Sequence, residues 1–178
     1  MEFSILYAIQ GLRCPFLDVI MLGLTHIVGS YGHLWVTLAI VLCIFKKTRK
    51  CGLAILLSYG LVFLIGQFVL KDMIARVRPC VIDQTVELLV ARPTSFSCPS
   101  THSAWSFAAA SAVCMANKKA GAALVVLSTI IGFSRLYLFV HFPTDVFMGV
   151  CLGIFCGIVA TTIVNAAALK LKKKSSAQ

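Results

Sequence analysis

Ser134-Arg135-Leu136-Tyr137-Leu138-Phe139-Val140-His141-Phe142-Pro143-Thr144-Asp145 sets an arginine, a histidine and an aspartate into a segment otherwise written in membrane residues. Uncharged apolar sequence lies on both sides, over residues 120–133 and 146–169. Pro143 breaks a helix, so the stretch reads as two membrane-crossing helices joined by a polar turn. Ionisable groups at such a place are expensive to bury and are usually functional. The fold class follows: an all-α integral membrane bundle.

The rest of the composition agrees. Of 178 residues, 60% are hydrophobic and 12% charged, and the mean hydropathy is +0.95, far from a soluble globular chain. The length favours a single domain, 1–178, embedded in the membrane. The formal net charge of +10 raises the possibility of nucleic-acid binding, but ten of the sixteen Lys and Arg fall in three clusters. These are Lys46, Lys47, Arg49 and Lys50; Lys118 and Lys119; and Lys170, Lys172, Lys173 and Lys174. Each sits at the edge of an apolar run, as cytoplasmic ends do. No polar domain is left to form a groove, and nucleic acid is excluded as a partner. Six of the eight cysteines lie in or beside apolar runs and no Cys-x-x-Cys occurs, so no metal site is expected. Residues 1–10 lack the basic start and small-residue cleavage site of a secretory signal, so the chain is expected to be retained whole.

Six spans are expected, at about residues 15–29, 33–46, 51–72, 99–116, 120–142 and 144–169. Residues 2–11 are expected to form a helix on the interface, ending at Gly11. The first two spans, joined by a turn at Gly29-Ser30-Tyr31-Gly32, are short. Fifteen residues of helix reach about 22 Å against a core of about 30 Å, and one long bent span over 15–45 is the rival reading. The fourth span is rich in Ala and Ser, which lets helices approach closely. Small residues there and in the sixth span suit packing within one chain or between two, so the oligomeric state stays open. Counting from the basic loops puts both termini in the cytoplasm, with the 73–98 loop and the Phe142-Pro143 turn outside. Four of the six acidic residues, Asp72, Asp83, Glu87 and Asp145, then fall on that outer side.

Three polar segments meet this face. Lys71 and Arg78 are seven apart, two helical turns, and are expected to project from one face; two cations there suit a polyanion such as phosphate, although snorkelling cations anchoring a helix end read the same way. In Cys98-Pro99-Ser100-Thr101-His102, proline at the first helical position leaves the amides of Ser100, Thr101 and His102 free, an anion site reinforced by the dipole. Ser100 adds a hydroxyl and His102 a proton carrier; a plain capped helix is the alternative. In the third segment, Asp145 lies four residues after His141, where its carboxylate fixes one imidazole tautomer and frees the other nitrogen to attack. Arg135 lies about two turns before it. A structural Arg–Asp pair is the bland alternative. By average residue usage, Ser-Arg-x5-His-x3-Asp arises by chance in roughly one chain of this size per thousand, and here it accompanies two further motifs on the same side.

Lys-x6-Arg-Pro, Pro-Ser-x-His and Ser-Arg-x5-His-x3-Asp together resemble the tripartite signature of the type 2 phosphatidic acid phosphatase superfamily, in its small bacterial membrane branch. The motifs cover about residues 50–150. The resemblance implies a six-helix membrane enzyme that dephosphorylates lipid phosphates or diphosphates without metal or other cofactor. It implies that Lys71, Arg78, Ser100 and Arg135 bind phosphate, together with the amide at Thr101. His141 is then the nucleophile, His102 the acid that protonates the leaving oxygen, and Asp145 the partner of His141. Thr101 departs from the pattern, which usually has glycine there; at a helix N-terminus, where φ is negative, threonine presents the same amide.

Phosphoryl transfer needs charge neutralised on the equatorial oxygens, an in-line nucleophile and a leaving-group acid, and these residues supply all three. The expected course is a phosphohistidine intermediate hydrolysed by water with His102 as base. Undecaprenyl diphosphate is the leading candidate substrate, by analogy with an outward-facing site in the bacterial cytoplasmic membrane; phosphatidylglycerophosphate and phosphatidic acid are alternatives. A lipid-phosphate binder or transporter without turnover is the competing class, and His102, His141 and Asp145, which binding alone does not need, argue against it. Cys80 and Cys98 flank two of the motifs, and both a bridge and two free thiols fit the sequence. His26 and His33 are expected at the interface, Asp18 and Gln67 against other helices, and residues 88–97 as a lip over the site.

Overall fold

The computed structural model describes residues 1–29 and 32–175. The middle of the turn expected at Gly29–Gly32, Ser30 and Tyr31, lies outside the described residues. Every element among the described residues is helical. In chain order these are α1 (Glu2–Gln10), α2 (Pro15–Val28), α3 (His33–Ile44), α4 (Arg49–Val62), α5 (Lys71–Ile74), α6 (Pro79–Ile82), α7 (Thr101–Ala116), α8 (Lys118–Tyr137) and α9 (Pro143–Ser175). A π-helical segment, Phe63–Leu70, carries α4 without a break into α5. Local chemistry sets the boundaries. Prolines open α2, α6 and α9, where a missing N–H costs nothing. Asn117 caps α8, its side-chain oxygen accepting the Ala120 amide at 3.1 Å.

Among the described residues three largely helical stretches are long and apolar enough to cross a bilayer: Arg49–Ile82, Lys118–Tyr137 and Pro143–Ser175. The pair α1 and α2, bent by 117° at the break between them, qualifies only if taken as one. Six crossings were expected, and the difference is one of length. With 14, 12 and 16 residues, α2, α3 and α7 reach about 21, 18 and 24 Å, short of a core of about 30 Å. The fifth expected span also ends early, at Tyr137 rather than 142, because the chain turns before Pro143.

The central helix is α7, which packs against α4, α8 and α9. Its contact with α9 is a seam of small residues. A Cβ added at Gly149 would stand 2.5 Å from the Ser100 carbonyl oxygen, and one at Gly157 would stand 2.6 Å from that of Ala108. Gly153 meets Ala104 in the same way, so the backbones touch along three turns. One core gathers Trp35, Ile55, Val62, Trp105 and Ile131 from α3, α4, α7 and α8. The other gathers Leu6 and Ile9 of α1, Met21 of α2, and Tyr137, Leu138, Phe139, Val140 and Phe142 around the α8–α9 turn. This second core fixes α1 against the turn that carries His141.

Candidate active site

The α8–α9 turn is built from an unfavourable backbone. Phe139, fully buried, has φ 58, a left-handed conformation that bulky residues rarely adopt. Hydrogen bonds hold it: the Phe139 amide donates to Leu136 O at 3.0 Å and the Val140 amide to Arg135 O at 3.2 Å. The reversal brings His141 to the wall of a cavity of about 920 Å³.

Arg78 donates through Nη1 to His141 Nε2 at 3.1 Å. An arginine has only protons to give, so Nε2 is the lone-pair nitrogen and the ring proton sits on Nδ1. That proton faces Asp145 Oδ2, 3.6 Å away, beyond ordinary hydrogen-bond length, and Nδ1 has no closer partner among the described residues. Asp145 is fully buried. Its Oδ2 accepts the Phe142 amide at 2.8 Å and its Oδ1 accepts Arg76 Nη1 at 2.9 Å. His141 lies between the two helices, outside either span, and burial pushes its imidazole down to about 4, with Asp145 opposing the shift. The ring is therefore neutral at physiological pH.

Lys71, Arg78 and Arg135 are almost completely buried. Lys71 and Arg78 do not share a helical face as expected. Ala75, at φ 46, takes the left-handed conformation and ends α5, so Arg78 arrives from an extended segment. They meet through the loop instead. Lys71 Nζ donates to Ser95 Oγ at 3.3 Å and Arg78 Nη2 to the same oxygen at 3.1 Å. Arg78 also donates to the carbonyls of Ser95 (2.7 Å), Val140 (2.9 Å) and Phe96 (3.2 Å). Arg135 donates to Ser134 Oγ through Nε (3.2 Å) and Nη2 (3.0 Å), and to Thr25 Oγ1 of α2.

His102, on the first turn of α7, lines the cavity. Its Nε2 is buried and has no hydrogen-bond partner among the described residues, a costly state for a ring nitrogen unless a ligand supplies one. Thr101 lines the cavity too. Ser100 departs from the expected placement: it caps α7 and is fully buried, away from the cavity wall. Its amide donates to the Asp145 carbonyl at 3.0 Å and its hydroxyl oxygen accepts from Ser103 Oγ at 3.0 Å. Pro99 therefore stands before the cap rather than at the first helical position, and the open amides begin at Thr101.

The structure brings Lys71, Arg78, Thr101, His102, Arg135 and His141 to one cavity, with Asp145 behind His141. Gln67, His26 and Arg92 join the wall, and residues 89–95 form its lip, where the sequence placed one. Among the described residues four cations line the cavity, Lys71, Arg78, Arg92 and Arg135, and no carboxylate does. Cys80 and Cys98 are buried free thiols. The sequence analysis singles out no role for Arg76, yet Arg76 holds the carboxylate behind His141; its Arg-x-Arg spacing with Arg78 is the signal the sequence offers.

A helical scaffold surrounds a cation-lined cavity that holds His102 and His141, and residues 50–168 match the family model of the PAP2 superfamily. The chain belongs to that superfamily and is an integral membrane phosphatase. It is 29% identical to an undecaprenyl-diphosphatase of Sulfolobus acidocaldarius over 83% of its own length and 73% of the relative's. It is 33% identical to phosphatidylglycerophosphatase B of Bacillus subtilis, over 80% of this chain and 73% of that one. The crystal structure of a transmembrane PAP2-type phosphatidylglycerolphosphate phosphatase from Bacillus subtilis superposes with a TM-score of 0.73. That match covers 93% of this chain and 85% of the other at 29% identity.

Proposed function

We propose that the protein hydrolyses a lipid diphosphate, undecaprenyl diphosphate to undecaprenyl phosphate, through a phosphohistidine intermediate and without a metal. The carrying observation is a cavity lined by four cations and by the histidines His102 and His141, besides His26, with no carboxylate among the described residues that line it. Lys71, Arg78, Arg135 and the Thr101 amide bind the phosphate oxygens, supplying the charge neutralisation that phosphoryl transfer otherwise draws from metal ions. The phosphate oxygens accept the hydrogen bond that Arg78 Nη1 otherwise gives to His141, with the guanidinium staying protonated, and the Nε2 lone pair of His141 is freed for attack. As the P–O bond breaks, His102 protonates the leaving oxygen; it then takes a proton from the water that cleaves the phosphohistidine. Ser100 serves by capping α7 and bonding the Asp145 backbone. The whole chain acts as one membrane-embedded domain of six crossings, the short α2, α3 and α7 crossing a locally thinned bilayer. Both termini are cytoplasmic and the cavity opens outward, since the lysine clusters lie at the opposite ends of the helices.

Similarity to phosphatidylglycerophosphatase B favours phosphatidylglycerophosphate as the second reading of the substrate. Phosphate release from purified protein in detergent tests both, using undecaprenyl diphosphate, phosphatidylglycerophosphate and phosphatidic acid, each with and without EDTA. Fastest turnover of undecaprenyl diphosphate, unchanged by EDTA, is expected. Loss of activity with EDTA contradicts the metal-free mechanism, and binding without release from any lipid contradicts an enzyme.

A further inference from the structure

We propose that Arg76 and Glu2 are a positioning pair behind the nucleophile. Glu2, on the N-terminal helix, holds the Arg76 guanidinium, and the guanidinium fixes Asp145 against His141. The inference rests on the roles of His141 and Asp145 proposed above.

The geometry is a chain of directed contacts. Arg76 Nη1 donates to Asp145 Oδ1 at 2.9 Å and to Thr144 Oγ1 at 2.6 Å. Its other terminal nitrogen, Nη2, pairs with Glu2 Oε2. Glu2 Oε1 accepts the Thr144 hydroxyl at 2.7 Å, closing a ring of three side chains. The guanidinium lies 4.0 Å over the Phe142 ring, and the Arg76 carbonyl accepts the Ser97 amide at 2.8 Å, so both its head and its backbone are held. Arg76 is the cation that holds Asp145 Oδ1, whereas Oδ2 has the Phe142 amide and faces His141. Two anchored oxygens leave the carboxylate no freedom to rotate.

None of Glu2, Arg76 and Thr144 lines the cavity, so the pair acts through Asp145 and not on the phosphate. Arg76 is shared between a fully buried carboxylate and a half-buried one. Asp145 alone would draw it close and weaken the hold of Asp145 on the imidazole; Glu2 balances that pull. Further contacts seat α1 on the turn. Phe3 packs edge-on against Phe142 at 5.3 Å between centroids, Tyr7 donates to Asp83 Oδ2 at 2.7 Å, and Gln10 donates to Tyr137 O at 2.9 Å. The N-terminal helix is therefore the rear wall of the reaction centre as well as an interfacial element.

The test uses the full-length protein in detergent with a lipid phosphate, reading kcat and KM separately for Arg76→Ala, Arg76→Lys, Glu2→Gln and the double variant Glu2→Gln/Arg76→Ala. Partners that orient an imidazole from behind are worth about 10–100-fold in activity. The expected result for Arg76→Ala is a kcat loss in that range with KM within about twofold. Lysine restores part of it, since it returns the charge without the fork. Glu2→Gln, isosteric and half-exposed, lowers kcat several-fold and adds nothing once Arg76 is alanine. Wild-type kcat in Glu2→Gln overturns the pair even if Arg76→Ala does not fold. Raised KM with unchanged kcat, or additive losses in the double variant, overturn it as well. His141→Ala is the control on the underlying reading. If that variant still turns over, the nucleophile assignment has failed; if it is dead while the Arg76 variants are normal, only the positioning pair has.

Discussion

His141 has two unlike sides. In front stand Lys71, Arg78 and Arg135, almost fully buried, whose partners are carbonyls and hydroxyls. Among the described residues none of the three has a carboxylate within ion-pair distance. Behind stand Glu2, Arg76 and Asp145, where each charge has an opposite charge within ion-pair distance and Arg76 is shared by the two carboxylates. Buried charge without a counter-ion is costly, so the two sides teach different things. The rear is complete as folded and holds geometry. The front has no carboxylate counter-ion among the described residues, which supports the proposed phosphate site.

Removing one residue from each side sharpens the contrast. The largest effect is expected from Arg78→Ala, which deletes the group that bridges the cavity and the nucleophile. Loss of one preorganised donor to developing charge costs about 100–1,000-fold, and here KM should rise as kcat falls. Arg78→Lys should recover little, because the present side chain makes five separate contacts through its fork. Behind His141 the Arg76 variants should lose less, and in kcat alone. If Arg78→Ala and Arg76→Ala gave the same split between kcat and KM, the front and rear would not be distinct. The smallest effect is expected at Thr101→Gly. Only the amide is needed there, and the lost side chain is worth about one hydrogen bond at most, within about fivefold in rate. A hundredfold change would put the threonine hydroxyl itself on the phosphate.

Parts of this arrangement were legible in the sequence for physical reasons. A proline between two apolar runs forces a helix break, and His141 and Asp145 straddle that break. Long runs such as Pro143–Ser175 declare themselves by length, whereas α2 and α3, at 14 and 12 residues, carry the same apolar character without the reach. The shared helical face of Lys71 and Arg78 failed because Ala75 turns left-handed, which no alanine advertises. Ser100 was misplaced by taking Pro99 as the first helical residue, when close packing of α7 on Gly149 buries the cap. Arg76 and Glu2 are 74 positions apart, and only the folded chain brings them together.

The central claim is that His141 carries the phosphoryl group between its two sides. It is tested by incubating the purified protein with lipid phosphate labelled at the scissile phosphorus, quenching in alkali and mapping the label by peptide. A label on His141 that is stable in alkali, lost in acid and missing from His141→Ala is the expected result. Label retained by His141→Ala, or phosphate release from that variant at the wild-type rate, would contradict the account.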